Sequence, residues 1–246
     1  MELAPGVHWV KRATPIRIVS NVYLLVDEVE GLTLIDAGMP GRANAILCHV
    51  ADLGYEPADV RRIVRTHYHV DHAGSLAALV ARTGAHVLAH ADEAPLVEGQ
   101  RPPLVARGVL GRTMRALVPL TRGRPTAVDE RLAHGDVIPT LRVGGLRVVH
   151  TPGHTPGSIC LHLPARGVLF TGDTLLTGWR GGVRDPSPLF ALDIQQARAS
   201  ARTLAGLNFD VLAPGHGPPI VGDAGTEVRS TYEKATHVRR APLPSN

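Results

Sequence analysis

Apolar and polar positions along the chain fall into two stretches with the same order of elements. In residues 21–38, NVYLLVDEVEGLTLIDAG, two β-rich apolar runs flank the turn-forming DEVEG, and the second ends on Asp36 before a glycine. In residues 158–174, SICLHLPARGVLFTGDT, two further apolar runs flank PARG and end on Asp173. Each hairpin is followed by a helical pattern, at about residues 41–53 and 193–204. Each helix leads to a short apolar strand that stops at a histidine: VRRIVRTH delivers His67 and FDVLAPGH delivers His216. This internal repeat of strand, turn, strand, helix, strand predicts two halves packed sheet against sheet with their helices outside. The expected fold class is therefore α/β, a four-layer αββα sandwich of two packed mixed β-sheets, with polar residues at strand ends converging on one rim.

Length changes the picture little. The 246 residues are expected to form one domain, with a helical or loop insertion at about 94–125 and a short C-terminal helix and tail at about 224–246. A hydrophobic fraction of 44% suits a globular protein, and no run is long and apolar enough to span a bilayer. The first residues, MELAPGVHWVKRATP, lack the basic start, apolar run and cleavage site of a secretory signal, so a cytoplasmic location is expected. The formal charge of +4 comes almost wholly from arginine, Lys11 and Lys234 being the lysines. No continuous basic run or aromatic platform accompanies it, which speaks against a nucleic-acid partner and against a membrane surface. Cys48 and Cys160 share no metal-binding spacing and read as two covered thiols.

The chemistry sits in the histidines. His8, His49, His86, His90, His134, His162 and His237 stand singly and read as surface or hydrogen-bonded core residues, and His150 as a strand residue or supporting partner. Five others lie at turns after apolar runs. THYHVDH, residues 66–72, gathers His67, His69, Asp71 and His72. An extended chain would turn His67, His69 and Asp71 to one side, while a turn into the following AGSLAAL helix would swing His72 to a second point. His154 lies between two Pro-Gly turns, Asp173 at a strand end and His216 in the Pro/Gly-rich APGHGPP. Neutral imidazole with carboxylate oxygen is the ligand mix of a hydrolytic zinc site.

LIDAG, THYHVDH, TPGHTPGS, FTGDT and PGHG, in this order over about residues 21–219, resemble the successive motifs of the metallo-β-lactamase superfamily, most closely its glyoxalase-II-like metallohydrolases. The resemblance implies the same αββα sandwich. It assigns His67, His69 and His154 to a first metal, Asp71, His72 and His216 to a second, and Asp173 to the bridge between them. It makes Asp36 a support that orients ligands rather than a ligand. The implied cofactor is Zn²⁺, two per chain, with Fe or Mn as variants. The implied enzyme is a hydrolase of a small acyl substrate (a thioester, lactone or related ester), attacked by a metal-bridging hydroxide with Asp71 as the catalytic proton carrier.

Two other readings share these motifs: a mononuclear iron persulfide dioxygenase using His67, His154 and Asp173, and a metal-binding protein without activity. Ser158 lacks the G-x-S-x-G setting of a nucleophile and receives no catalytic role.

Around these motifs, Val105, Val109, Leu110, Met114, Leu117 and Val118 recur at helical spacing, with Arg107, Arg112, Arg115 and Arg122 on the other side. This segment is expected to be a packed helix, a substrate lid or a dimer contact, and a homodimer is compatible with it. TGWRGGVRDPSPLF, with Trp179 and Arg180, is expected to be a loop bordering the cavity. The short tail after PGHGPP departs from glyoxalase II and weighs against glutathione thioesters. The tyrosine that acyl-homoserine lactonases carry after the bridging aspartate is absent from GDTLLTGW, so lactones are not favoured.

Overall fold

A computed structural model describes residues 1–11, 20–104, 124–140, 144–178 and 180–238. Seven strands form the first sheet in chain order: β1 (Glu2–Ala4), β2 (Val7–Trp9), β3 (Tyr23–Asp27), β4 (Gly31–Ile35), β5 (Val60–Val64), β6 (His86–His90) and β7 (Glu130–Leu132). It is antiparallel up to β4 and parallel from β4 to β7. The parallel pairs require crossovers, which are α1 (Ala43–Asp52), then α2 (Val70–Ala73) with α3 (Leu76–Thr83), then α4 (Ala94–Val97) and the chain that follows it.

The second sheet contains β8 (Val137–Ile138), β9 (Leu146–His150), β10 (Ile159–Leu163), β11 (Val168–Gly172), β14 (Val211–Pro214) and β15 (Ile220–Val221). Its one parallel pair, β11 with β14, is crossed by α5 (Ile194–Thr203). A separate hairpin, β12 (Leu176–Thr177) with β13 (Val183–Arg184), precedes α5, and α6 (Ala224–Val238) closes the described chain.

Strand alternation explains the layering. Tyr23, Leu25, Ile35 and Val64 from one sheet meet Ile159, Leu161, Leu163, Val168, Phe170 and Val211 from the other in a central core. Their neighbours point the opposite way. Leu24, Leu32, Leu34 and Ile63 pack against Ile46 and Val50 of α1 and Leu76 and Leu79 of α3. Cys160, Leu169 and Leu212 pack against Ala201 of α5 and Val228 of α6. Three cores between four layers make the expected αββα sandwich.

Both expected hairpins and both expected crossover helices are present. Asp193 caps α5, its side chain accepting from the amides of Gln195 (3.0 Å) and Gln196 (2.9 Å), a contact worth about 1 kcal/mol. Two expectations change. Cys48 is exposed on α1, so only Cys160 is a covered thiol. Residues 177–190 are no simple loop, because they take in the end of β12 and all of β13, and Arg180 between the two strands is exposed. The helical face running from Val105 to Val118, its arginines and Trp179 lie outside the described residues. No helix among the described residues is long and apolar enough to cross a membrane.

Candidate metal centre

The four motif loops leave the same edge of the two sheets. β5 ends at Val64, and Arg65 and Thr66 lead directly to His67. After His69 the backbone turns into α2, a single helical turn. The extended reading therefore holds for His67 and His69 but fails for Asp71, because the helical turn carries Asp71 away from them and beside His72. His154 comes from the loop joining β9 to β10, Asp173 from the end of β11, and His216 from the loop between β14 and β15.

All seven side chains converge. His154 Nε2 lies 3.3 Å from His67 Nε2 and 3.0 Å from His69 Nδ1. His216 Nε2 lies 3.0 Å from Asp71 Oδ2 and 3.4 Å from His72 Nε2. Asp173 touches both groups, at 3.5 Å from His154 Nε2, 3.3 Å from His72 Nε2 and 3.6 Å from His216 Nε2. A side chain on Gly215 would collide with Asp173 Oδ1, so only glycine lets the His216 loop pass so close.

Asp36 organises one side of the pocket. Its φ of 61° is left-handed, a conformation that aspartate tolerates better than most residues, and it aims the carboxylate inward. Oδ1 accepts from the Thr66 amide (2.9 Å) and from Arg65 Nη1 (3.3 Å). Oδ2 accepts from the Thr66 hydroxyl (2.7 Å) and meets His72 Nδ1 at 2.7 Å. With the His72 proton on Nδ1, its Nε2 lone pair faces the cluster. His67 Nδ1 stands 3.1 Å from the same Thr66 hydroxyl, whose proton goes to Asp36, so His67 donates there and also bares Nε2. Arg65, fully buried, donates to the backbone carbonyls of His67 and His72 as well as to Asp36. Arg65 and Thr66 escaped the sequence reading. An arginine in the strand register just before the histidines was the available signal.

The electrostatics divide the pocket. Burial, reinforced by neighbouring imidazoles, pushes His67 well below the usual histidine range and His69 down to about 3. Burial also depresses His72 and His216, yet Asp36, Asp71 and Asp173 raise His72 well above that range, and Asp173 with Asp71 raises His216. Burial would raise both carboxyls, but the facing imidazoles hold Asp71 and Asp173 below the ordinary carboxylate range.

These donors fit divalent cations. His67, His69 and His154 form one group of potential ligands, His67, His72 and Asp173 a second, and Asp71, His72 and His216 a third. Buried Asp173 Oδ1 has no hydrogen-bond partner, and ring nitrogens of His67, His69 and His154, kept neutral by burial, crowd together at 3.0–3.3 Å. Potential ligand atoms gathered so closely suit a cation set among them.

A fourth group, His90, Asp92 and His150, lies behind the His154 loop. His90 therefore does not stand singly, because its ring stacks on His150 at 4.0 Å and 15°. Parallel rings direct their lone pairs side by side rather than to one point. His150 Nε2 is moreover engaged by the Pro156 carbonyl (2.8 Å), and the Asp92 amide donates to His90 Nδ1 (3.2 Å). This group braces the loop. Cys160, its thiol pushed up to about 11 by burial, is chemically quiet.

Comparison with known proteins agrees with this geometry. The model of the Metallo-beta-lactamase superfamily matches residues 16–216. A probable metallo-hydrolase, YflN of Bacillus subtilis, is 30% identical over 238 residues, covering 90% of this chain and 87% of that protein. A hydroxyacylglutathione hydrolase of Nitrosococcus oceani is 30% identical over 141 residues, 56% of this chain but only 43% of that enzyme. Among solved structures, the metallo-beta-lactamase family protein TTHA1429 of Thermus thermophilus superposes with a TM-score of 0.71 at 25% identity, covering 97% of this chain and 81% of that one.

Proposed function

Because the chain belongs to the metallo-beta-lactamase superfamily and is a metallohydrolase, we propose that two zinc ions per chain serve the cleavage of a small acyl substrate, a thioester, lactone or related ester. One observation carries this reading: Asp173 stands within 3.6 Å of imidazoles from both clusters, where a shared carboxylate ligand belongs. His67, His69 and His154 would hold one ion and Asp71, His72 and His216 the other, with Asp173 between them. When bound, the pair supplies Lewis acidity, which polarises a carbonyl and brings the pKa of water toward neutrality.

The chain's own residues do the remainder. Asp36 and Thr66 fix the tautomers of His72 and His67, so both rings present Nε2 to the pocket. Asp71, with 28% of its side chain exposed, faces the open side of the site. Its Oδ2 accepts the proton of the attacking water and returns it to the departing thiolate or alkoxide. The acylglutathione named for the Nitrosococcus relative supports thioesters as the first substrates to try. The chain spans less than half of that enzyme, so glutathione itself is not carried over.

The test is metal content by elemental analysis, followed by turnover of thioester, lactone, phosphodiester and glutathione persulfide panels. The expected result is two zinc per chain, thioester or ester hydrolysis, and loss of both metal and turnover in Asp173→Ala. One iron per chain with oxygen uptake on the persulfide would overturn the proposal in favour of the dioxygenase reading.

A further inference from the structure

Glu93 is the one fully buried glutamate among the described residues, and the chemistry above does not use it. It lies just after β6, in the half of the molecule that also carries His67 and His69. Its contacts are to the other half. Oε1 accepts from the Thr155 hydroxyl (2.6 Å) and the Gly157 amide (2.9 Å), the residues on either side of Pro156 in the loop that bears His154. Ser158 completes this knot, its hydroxyl accepting from the Thr155 amide (3.0 Å) and standing 2.7 Å from the Thr155 hydroxyl. A Cβ on Gly157 would sit 2.8 Å from both the Glu93 Cγ and its backbone nitrogen, so the loop backbone rests directly on Glu93.

Most other ties on this loop come from its own half. Ser200 of α5 donates to the Pro152 carbonyl (2.7 Å), Leu192 to the His154 carbonyl (3.1 Å) and His150 meets the Pro156 carbonyl. They fix the loop to the second sheet, and only at its two ends is it tied, among the described residues, to the first half besides Glu93: the Ile159 amide donates to the Thr66 carbonyl (3.0 Å) and His150 stacks on His90.

We infer that Glu93 is a positioning residue that sets the His154 loop against the His67–His69 segment and so holds the three-histidine cluster at its spacing. Two further observations support it. The backbone of Tyr68, between His67 and His69, acts on the same carboxyl, so Glu93 feels both sides of the cluster. Burial raises this carboxyl to about 7 against the hydrogen bonds that favour its charge, and Oε2 is buried with no hydrogen-bond partner. A carboxyl in so unfavourable a place for its own charge is explained by what it holds.

The inference rests on the proposed metal centre, and its test separates the two. Zinc stoichiometry and affinity are measured by chelator competition for wild type, Glu93→Ala, Glu93→Gln and Thr155→Val. The expected result is selective weakening of one of two zinc sites by about 10–100-fold in Glu93→Ala and Thr155→Val. Glu93→Gln, which keeps an oxygen at Oε1, restores most of the affinity. Unchanged affinity at both sites, or equal loss at both with no rescue by glutamine, overturns the inference. A second readout needs no metal: amide hydrogen exchange in the stripped protein. Faster exchange confined to residues 153–158 in Glu93→Ala supports the inference, and an unchanged or uniformly faster pattern overturns it. Wild type that holds no zinc counts against the proposed function and leaves this second readout to decide.

Discussion

The three-histidine cluster and the Asp71–His72–His216 cluster share one pocket, yet opposite conditions act on their imidazoles. His67, His69 and His154 are buried beside one another, and that environment drives their protons off. His72 and His216 face Asp71, Asp173 and Asp36, and those carboxylates draw protons on. The first cluster thus presents free lone pairs near neutral pH, whereas the second must release protons before it can take a cation. Equal ligand numbers do not make equal sites. The carboxylates that give the second cluster its attraction for a cation also give it its competing proton.

Asp71→Asn is the largest perturbation of this contrast. It removes the carboxylate proposed to carry the proton and part of the field on His216, so kcat falls by about 10²–10⁴-fold, with the loss read from the plateau of the rate against substrate concentration. A smaller effect is expected from Asp36→Ala, which leaves the His72 Nδ1 proton without its acceptor. Zinc affinity at the second cluster drops about 10–100-fold and at the first, which Asp36 reaches only through Thr66, by less, as competitive chelation would register. Equal loss at both clusters would break the contrast.

The smallest effect is the sharpest. In protein stripped of metal, histidines with lowered pKa contribute stability that disappears as pH falls below about 6.5, for His69 on the way to about 3. Histidines with raised pKa contribute stability that is complete below about 6.5 and disappears as pH rises through their folded values. Urea unfolding across pH 5–9 should therefore show a maximum near about 6.5, with flanks on the order of 1–2 kcal/mol. His69→Ala should flatten the acid flank and His216→Ala the alkaline one. A single flank altered by both variants would show that the clusters do not titrate separately.

Much of this was legible in the sequence because it is local. Alternation in residues 21–38 and 158–174 encodes which side chains face the central core, so both hairpins and the layering could be read from it. The gathering of His67, His69, Asp71 and His72 was legible because they sit within one short segment. What could not be read depends on tertiary approach. Asp71 alternates correctly for a strand, and only the helical turn at residues 70–73 moves it to its partner His72. Glu93, in HADEAP, has the neighbours of a surface acid and is buried only because a loop some 60 residues later closes over it. His90 likewise becomes a stacked pair only through the β9 strand that brings His150.

The separation of the donors along the chain has a consequence for how the protein is made. His154 reaches back 85 residues to His69, and His216 reaches back 144 to His72. A ribosome releasing this chain exposes the first four donors long before the last, so an early ion meets only a fragment of its eventual cage. Completion must wait until residue 216 has emerged and both sheets have stacked, which makes loading of the centre a late event in the life of each new molecule.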